Sequence, residues 1–259
     1  MRRYLLCSGV HGQTRSLDWL KQAVDQRRPD GILFVGGILD PGRHCAVRTT
    51  PWSISNEDSL FVLKFFRTLG QLGVFSAVIP GPAGEPMEEF LRLGMQAELE
   101  SPYVHVAHAT LVEEQDTAIC GIGGSIAERP LIGMDSYSRT QAEYFLRSLQ
   151  TTQRPRKVLL LSAPPPGLLG GMEGNPLVGD LIDSLHPNLC VVGGSTERRG
   201  VAHVGRTTIV NPGWLCDGWA AWFDWDKPAK EQVEFLNLSA FGPEAHVEDL
   251  PQSFQPLKG

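Results

Sequence analysis

The sequence predicts an α/β fold organised on parallel strands. Three features point there: apolar runs of strand length that end in loops of small residues, helical spacing of apolar residues behind those loops, and recurrence of this unit along the chain. Residues 4–13, YLLCSGVHGQ, are the first instance, an apolar run that breaks at Ser8 and Gly9 and then presents His11 and Gly12 in a turn.

Residues 14–26 carry Leu17, Leu20 and Val24 at the spacing of an amphipathic crossover helix. GILFV, residues 31–35, is a fully apolar strand that ends in Gly36 and Gly37, with Asp40 just beyond. Residues 44–55 read as irregular. Asn56 is expected to cap a helix through residue 71, with Glu57 and Asp58 in its first turn and Val62, Phe65, Phe66 and Leu69 on its apolar face. A strand over 74–79 ends in PGPAGEP and is followed by a helix from Met87 to about Leu99.

The middle of the chain changes character. Short half-apolar runs at 103–106, 109–112 and 117–122 with acidic turns predict an antiparallel section, and GIGGS at 121–125 opens a polar loop. Ser138 with Gln141 is a capping-box pattern leading a helix to residue 150. KVLLL at 157–161 runs into SAPPPG. A glycine-rich stretch then precedes a helix that starts at Pro176 and turns Leu177, Leu181, Ile182 and Leu185 inward. The strand at 189–192 ends in GGSTERRG, and strands at 207–210, 219–225 and 232–238 surround NPG at 211–213. One domain over 1–240 with a tail over 241–259 is expected.

Composition excludes several function classes. A formal charge of −6, with no Lys/Arg run carrying interleaved aromatics, argues against nucleic acid as a partner. No run approaches the roughly 18–20 apolar residues of a membrane span, and the apolar stretch behind the first two arginines is too short for a signal peptide. A cytoplasmic protein with no membrane partner is expected. Cys7, Cys45, Cys120, Cys190 and Cys216 are scattered without a CxxC, which predicts buried reduced thiols. His105 and His108 should point to opposite strand faces, a poor chelating pair. Alternation over 219–225 sets Trp219, Ala221, Phe223 and Trp225 on one face and Trp222 with Asp224 on the other. This reads first as a core strand and second as an interface patch.

In open α/β sheets ligands bind outside the carboxyl ends of strands, so the five small-residue loops should share one rim. Their order and spacing over residues 4–238, with NPG following, resemble the calcineurin-like metallophosphoesterases, and the GP, GIGG and MEEFLRLG stretches resemble a bacterial subgroup of that superfamily with decayed motifs. The resemblance implies a four-layer α/β/β/α sandwich. It also implies a two-metal phosphoesterase pattern of DxH, GDxxD, GNH[DE], a His before PP, and GHxH. Here Gly9 stands at the first Asp, Gly37 at the bridging Asp, Pro82 at the Asn, Ala83 at the catalytic His, Ser162 (or Ala163, one residue on) at the next His, and Gly194 and Thr196 at the last two. Of the usual ligands only His11 remains, and one imidazole does not hold a divalent ion in defined geometry.

The expected function follows from that loss: a catalytically degenerate member, with no metal, cofactor or catalytic residue, that binds a small anionic ligand or a protein partner, a second copy included. Glycine loops expose backbone N–H groups, and Ser8, His11, Asp40, Glu85, Ser162, Ser195, Thr196 and Arg198 are the candidate ligand-binding residues. Two alternatives stay open. One is a phosphoric ester hydrolase whose metal site is rebuilt on His11 with Asp40, Glu85 or Glu197; the other is a scaffold or oligomer subunit. Ser8 with His11 lacks a third orienting group, so serine hydrolysis is not expected.

Overall fold

The computed structural model describes residues 2–40, 55–82, 86–129, 135–167 and 169–241. The described chain runs β1 (Arg3–Cys7), α1 (Thr14–Arg27), β2 (Gly31–Val35), α2 (Asn56–Leu72), β3 (Phe75–Ile79), α3 (Met87–Glu100), β4 (Val104–Val106), β5 (Val112–Glu114) and β6 (Thr117–Ile122). It continues through β7 (Ser125–Ile126), β8 (Ser136–Tyr137), α4 (Arg139–Thr151), β9 (Arg156–Leu161), α5 (Pro176–Leu185) and β10 (Leu189–Val192). The hairpin β11 (Gly200–Val204) and β12 (Thr207–Asn211), then β13 (Trp219–Asp224) and β14 (Val233–Asn237), complete it.

Two six-stranded sheets face each other. The first has the order β14-β13-β1-β2-β3-β4 and the second β11-β12-β10-β9-β6-β5. The strands from β1 to β4 pair in parallel, as do β6, β9, β10 and β12, so the carboxyl ends within each set lie on one side. Alternation along β1 accounts for the layers. Leu5 and Cys7 are buried among residues of α1, α2 and α3, whereas Tyr4 and Leu6 are buried against the second sheet. Leu159, Leu161, Cys190 and Val192 face Leu146, Leu149, Leu181 and Ile182 of α4 and α5. Three apolar cores thus separate four layers, the α/β/β/α sandwich. No helix among the described residues is long and apolar enough to cross a membrane.

Several expectations are corrected by local chemistry. Ser55, not Asn56, caps α2: it holds an extended conformation and its side chain accepts from the Asp58 N–H at 3.1 Å. The section expected to be antiparallel is split between sheets. β4 extends the first sheet in parallel, the chain crosses over at His108, and only β5 runs antiparallel, against β6. Ala109 takes a left-handed φ of 53°, so the predicted 109–112 strand is replaced by Val112–Glu114. His108 lies past the end of β4 and is buried, whereas His105 packs against Phe75 with ring centroids 4.9 Å apart. The edge strand β11 was not expected from the sequence. The 219–225 run is core: Ala221 and Phe223 fill the space between the sheets, and Ala220 and Trp222 pack under the helices. Cys7, Cys120, Cys190 and Cys216 are buried free thiols, while Cys45 and the segments 44–54 and 242–259 fall outside the described residues.

The capping box forms as expected. Ser138 accepts from the Gln141 N–H at 3.3 Å and the Gln141 side chain accepts from the Ser138 N–H at 2.9 Å. Ser138→Ala is expected to remove about 1 kcal/mol of stability, read as a lower denaturant midpoint with unchanged slope.

Candidate functional site

The loops after β1 and β2 are zipped together by their backbones. The Gly9 N–H donates to Gly36 O at 2.9 Å, the His11 N–H to Gly37 O at 2.9 Å and the Gly12 N–H to Ile38 O at 2.7 Å. Both loops turn through the left-handed region, with φ of 64° at Gly9, 49° at His11 and 76° at Gly37. They form one wall of a cleft of about 220 Å³ whose other walls come from Pro82, Ser162–Pro164, Gly193–Ser195 and Trp214. The five predicted loops therefore do share a rim.

Trp214 is the residue that shapes this cleft, and it follows directly on NPG. The buried Asn211 side chain fixes the turn, accepting from the Gly213 N–H at 3.0 Å and donating to Ser195 O at 3.3 Å. The chain then pairs with the end of β1: the Leu215 N–H donates to Ser8 O and the Cys216 N–H to Gly9 O, at 2.7 and 2.8 Å. These bonds seat the indole over Gly9, so closely that a β-carbon added there would lie 2.5 Å from Trp214 Cδ1. The indole also meets the His11 ring edge-on, with centroids 4.7 Å apart.

His11 is the ionisable side chain lining the cleft among the described residues. Burial lowers its pKa, opposed by the carboxylates of Asp40 and Asp217, so the imidazole is neutral at pH 7. Its Nδ1 lies 3.5 Å from Cys216 Sγ. Burial and the neighbouring Asp217 push that thiol up to about 12, so it stays protonated and is no nucleophile at neutral pH.

The other expected site residues have definite places. Ser8 Oγ donates to Gly213 O at 2.8 Å, and Ser162 Oγ donates to Gly124 O. Thr196 Oγ1 donates to Asp217 Oδ2 at 2.6 Å and accepts from the Trp214 N–H at 3.0 Å. Ser195 lines the cleft, while Asp40 stands close enough to act on His11. The exposed Arg198 lies against Gly171, apart from the cleft lining, and Glu197 is exposed. Ala83 and Glu85 lie outside the described residues. Trp214, Cys216 and Asp217 were missed by sequence reasoning; NPG was the available signal, and it says nothing about the residues behind it.

A two-metal centre can be tested against these residues. Among the described residues no group of three or more His, Cys, Asp or Glu side chains could hold a metal ion. At Gly37 an added β-carbon would lie 3.0 Å from both Gly9 Cα and His11 Nε2, and at Gly194 it would lie 2.5 Å from Asn211 Nδ2. Among the described residues, neither the donor set nor the space fits the pair.

Comparison with known proteins gives a consistent picture. A family model described as metallophosphoesterase, calcineurin superfamily, matches residues 1–235. TT1561 of Thermus thermophilus superposes with a TM-score of 0.75 at 24% identity, over 92% of this chain and 99% of that one. A second solved structure superposes at 0.77 with 26% identity, over 92% and 99% of the two chains. The 5'-nucleotidase from Candida albicans SC5314 aligns at 0.52 with 9% identity, over 90% of this chain and 51% of that one. No curated protein matches the sequence.

Proposed function

The chain belongs to the calcineurin superfamily of metallophosphoesterases, and we propose that it is a member without two-metal hydrolysis that uses its rim cleft to bind a small ligand. One observation carries this reading. At the described positions where the superfamily pattern has a lost ligand, the residue here either lacks a donor or has that donor engaged inside the fold. Gly9, Gly37, Pro82 and Gly194 supply no side-chain donor, and the hydroxyls of Ser162 and Thr196 are bonded to Gly124 O and Asp217. A metal pair supplies an activated water and a clamp on phosphate, which requires several converging carboxylates and imidazoles. What remains is a concave recess with one neutral imidazole, the form of a binding site.

The test is elemental analysis of the purified protein followed by calorimetric titration with Mn²⁺ at pH 7. Substoichiometric metal, no binding heat, and no phosphatase turnover that His11→Ala abolishes are the expected results. About two tightly bound ions per chain, with His11-dependent hydrolysis of a phosphodiester, would overturn the reading in favour of a rebuilt hydrolase site.

A further inference from the structure

The chemistry of the cleft says what kind of group enters it. Building on the proposed binding role, we infer that the inserted part of the ligand is an uncharged, planar nitrogen heterocycle of nucleobase type, with any phosphate or carboxylate it carries left at the rim. Size is the first argument. At about 220 Å³ the recess falls below the roughly 300–1,000 Å³ of sites that enclose a whole drug-sized molecule, so it takes a ring and not its substituents.

Shape is the second. Gly9, Gly36, Gly37, Gly193 and Gly194 line the recess with backbone, and Trp214 adds an indole wall braced by the edge of His11. Peptide planes and an indole make a slot suited to a flat ring, and such stacking tolerates many ring types.

Charge and hydrogen bonding narrow the class. None of the described lining residues is Asp, Glu, Lys or Arg, and the carboxylates acting on His11 are those of Asp40 and Asp217. Ser8 and Ser162 already donate to carbonyls. A phosphate driven to the floor would be desolvated beside acidic neighbours with no cation from the described lining, a costly burial. A pure hydrocarbon would fit the slot but would offer no hydrogen bond to His11 Nε2 or to the Ser195 hydroxyl. A ring that carries its own donors and acceptors meets both conditions.

The experiment uses the full chain and three probes, adenosine, adenosine monophosphate and inorganic phosphate, each followed by thermal denaturation and calorimetry. Adenosine should bind and raise Tm, the monophosphate should bind no more than about threefold tighter, and phosphate alone should not bind. Trp214→Ala should weaken adenosine about tenfold or more, and Trp214→Phe much less, because base stacking on an aromatic ring is of that order. Should Trp214→Ala fail to fold, Ser195→Trp, which adds a bulky ring at a residue that lines the cleft, should abolish binding in its place. Phosphate binding, with the monophosphate more than tenfold tighter than adenosine, would overturn the ring assignment while leaving a binding cleft intact. No adenosine binding, or binding unchanged by these variants, would overturn it as well. Failure of the non-hydrolytic reading is scored separately, by Mn²⁺ binding and turnover.

Discussion

Gly9→Asp, which returns the carboxylate of the superfamily pattern, is expected to destabilise the protein by about 3 kcal/mol and to restore no metal binding. The cause is the indole. The new β-carbon would lie 2.5, 2.7 and 2.9 Å from Cδ1, Cγ and Cβ of Trp214. Trp214 cannot yield cheaply, because its N–H is held by Thr196 Oγ1 and the next two residues are bonded to Ser8 and Gly9. Overpacking costs roughly 1–3 kcal/mol, and a non-glycine residue at φ of 64° adds about 1 kcal/mol. In a chain of this size the loss should appear as a fall in Tm of roughly 10 °C.

Two controls isolate the contact. Gly12 has a similar φ of 71° with nothing within 4 Å of its added β-carbon, so Gly12→Asp should cost only the backbone part, about 1 kcal/mol. Trp214→Gly removes all three clashing atoms, and in that background Gly9→Asp should cost no more than Gly12→Asp does. An equal penalty for Gly9→Asp with and without the indole would show that Trp214 is not the obstacle. The same coupling holds at Gly37 and Gly194, where His11 and Asn211 stand in the way. At these three glycines a side chain of the superfamily pattern would meet neighbours already packed in place.

Packing of this kind also decides what the sequence could and could not reveal. Strands such as β2 and β10 are buried on both faces, so they read as unbroken apolar runs ending in glycine, and the parallel strands and their shared rim were legible from them, whereas the four-layer sandwich followed from the resemblance of the loops to the superfamily. The Ser138 box was legible because capping is local. The Trp214–Gly9 contact joins residues far apart in sequence, and a glycine carries no mark of what fills the space beside it. β11 went unseen because GVAHV is a short, half-exposed edge with no clean alternation. The crossing at His108 was equally silent, since a histidine between two short apolar runs looks the same whether the chain stays in one sheet or changes to the other.

His108 makes that crossing sensitive to acid. Its ring is buried at 8% exposure, its Nδ1 accepts from the Gly123 N–H at 3.0 Å, and its Nε2 lies 3.3 Å from the Tyr137 hydroxyl. Burial lowers its pKa from 6.5 to about 4. Between those values the unfolded chain binds a proton that the native protein does not. Stability from this residue is therefore complete above about pH 6.5 and is lost as pH falls toward 4, by an amount of about 3 kcal/mol. Protonation would also place an N–H on Nδ1 facing the Gly123 donor, which releases the loop that β6 leads into. His108→Asn offers an oxygen near the Nδ1 position without titrating, so it should lower stability at pH 7 by about 1 kcal/mol yet flatten the decline between pH 6.5 and 4. Urea unfolding measured at half-unit intervals decides the matter: parallel curves for the two proteins over that window would mean that His108 does not carry the acid sensitivity.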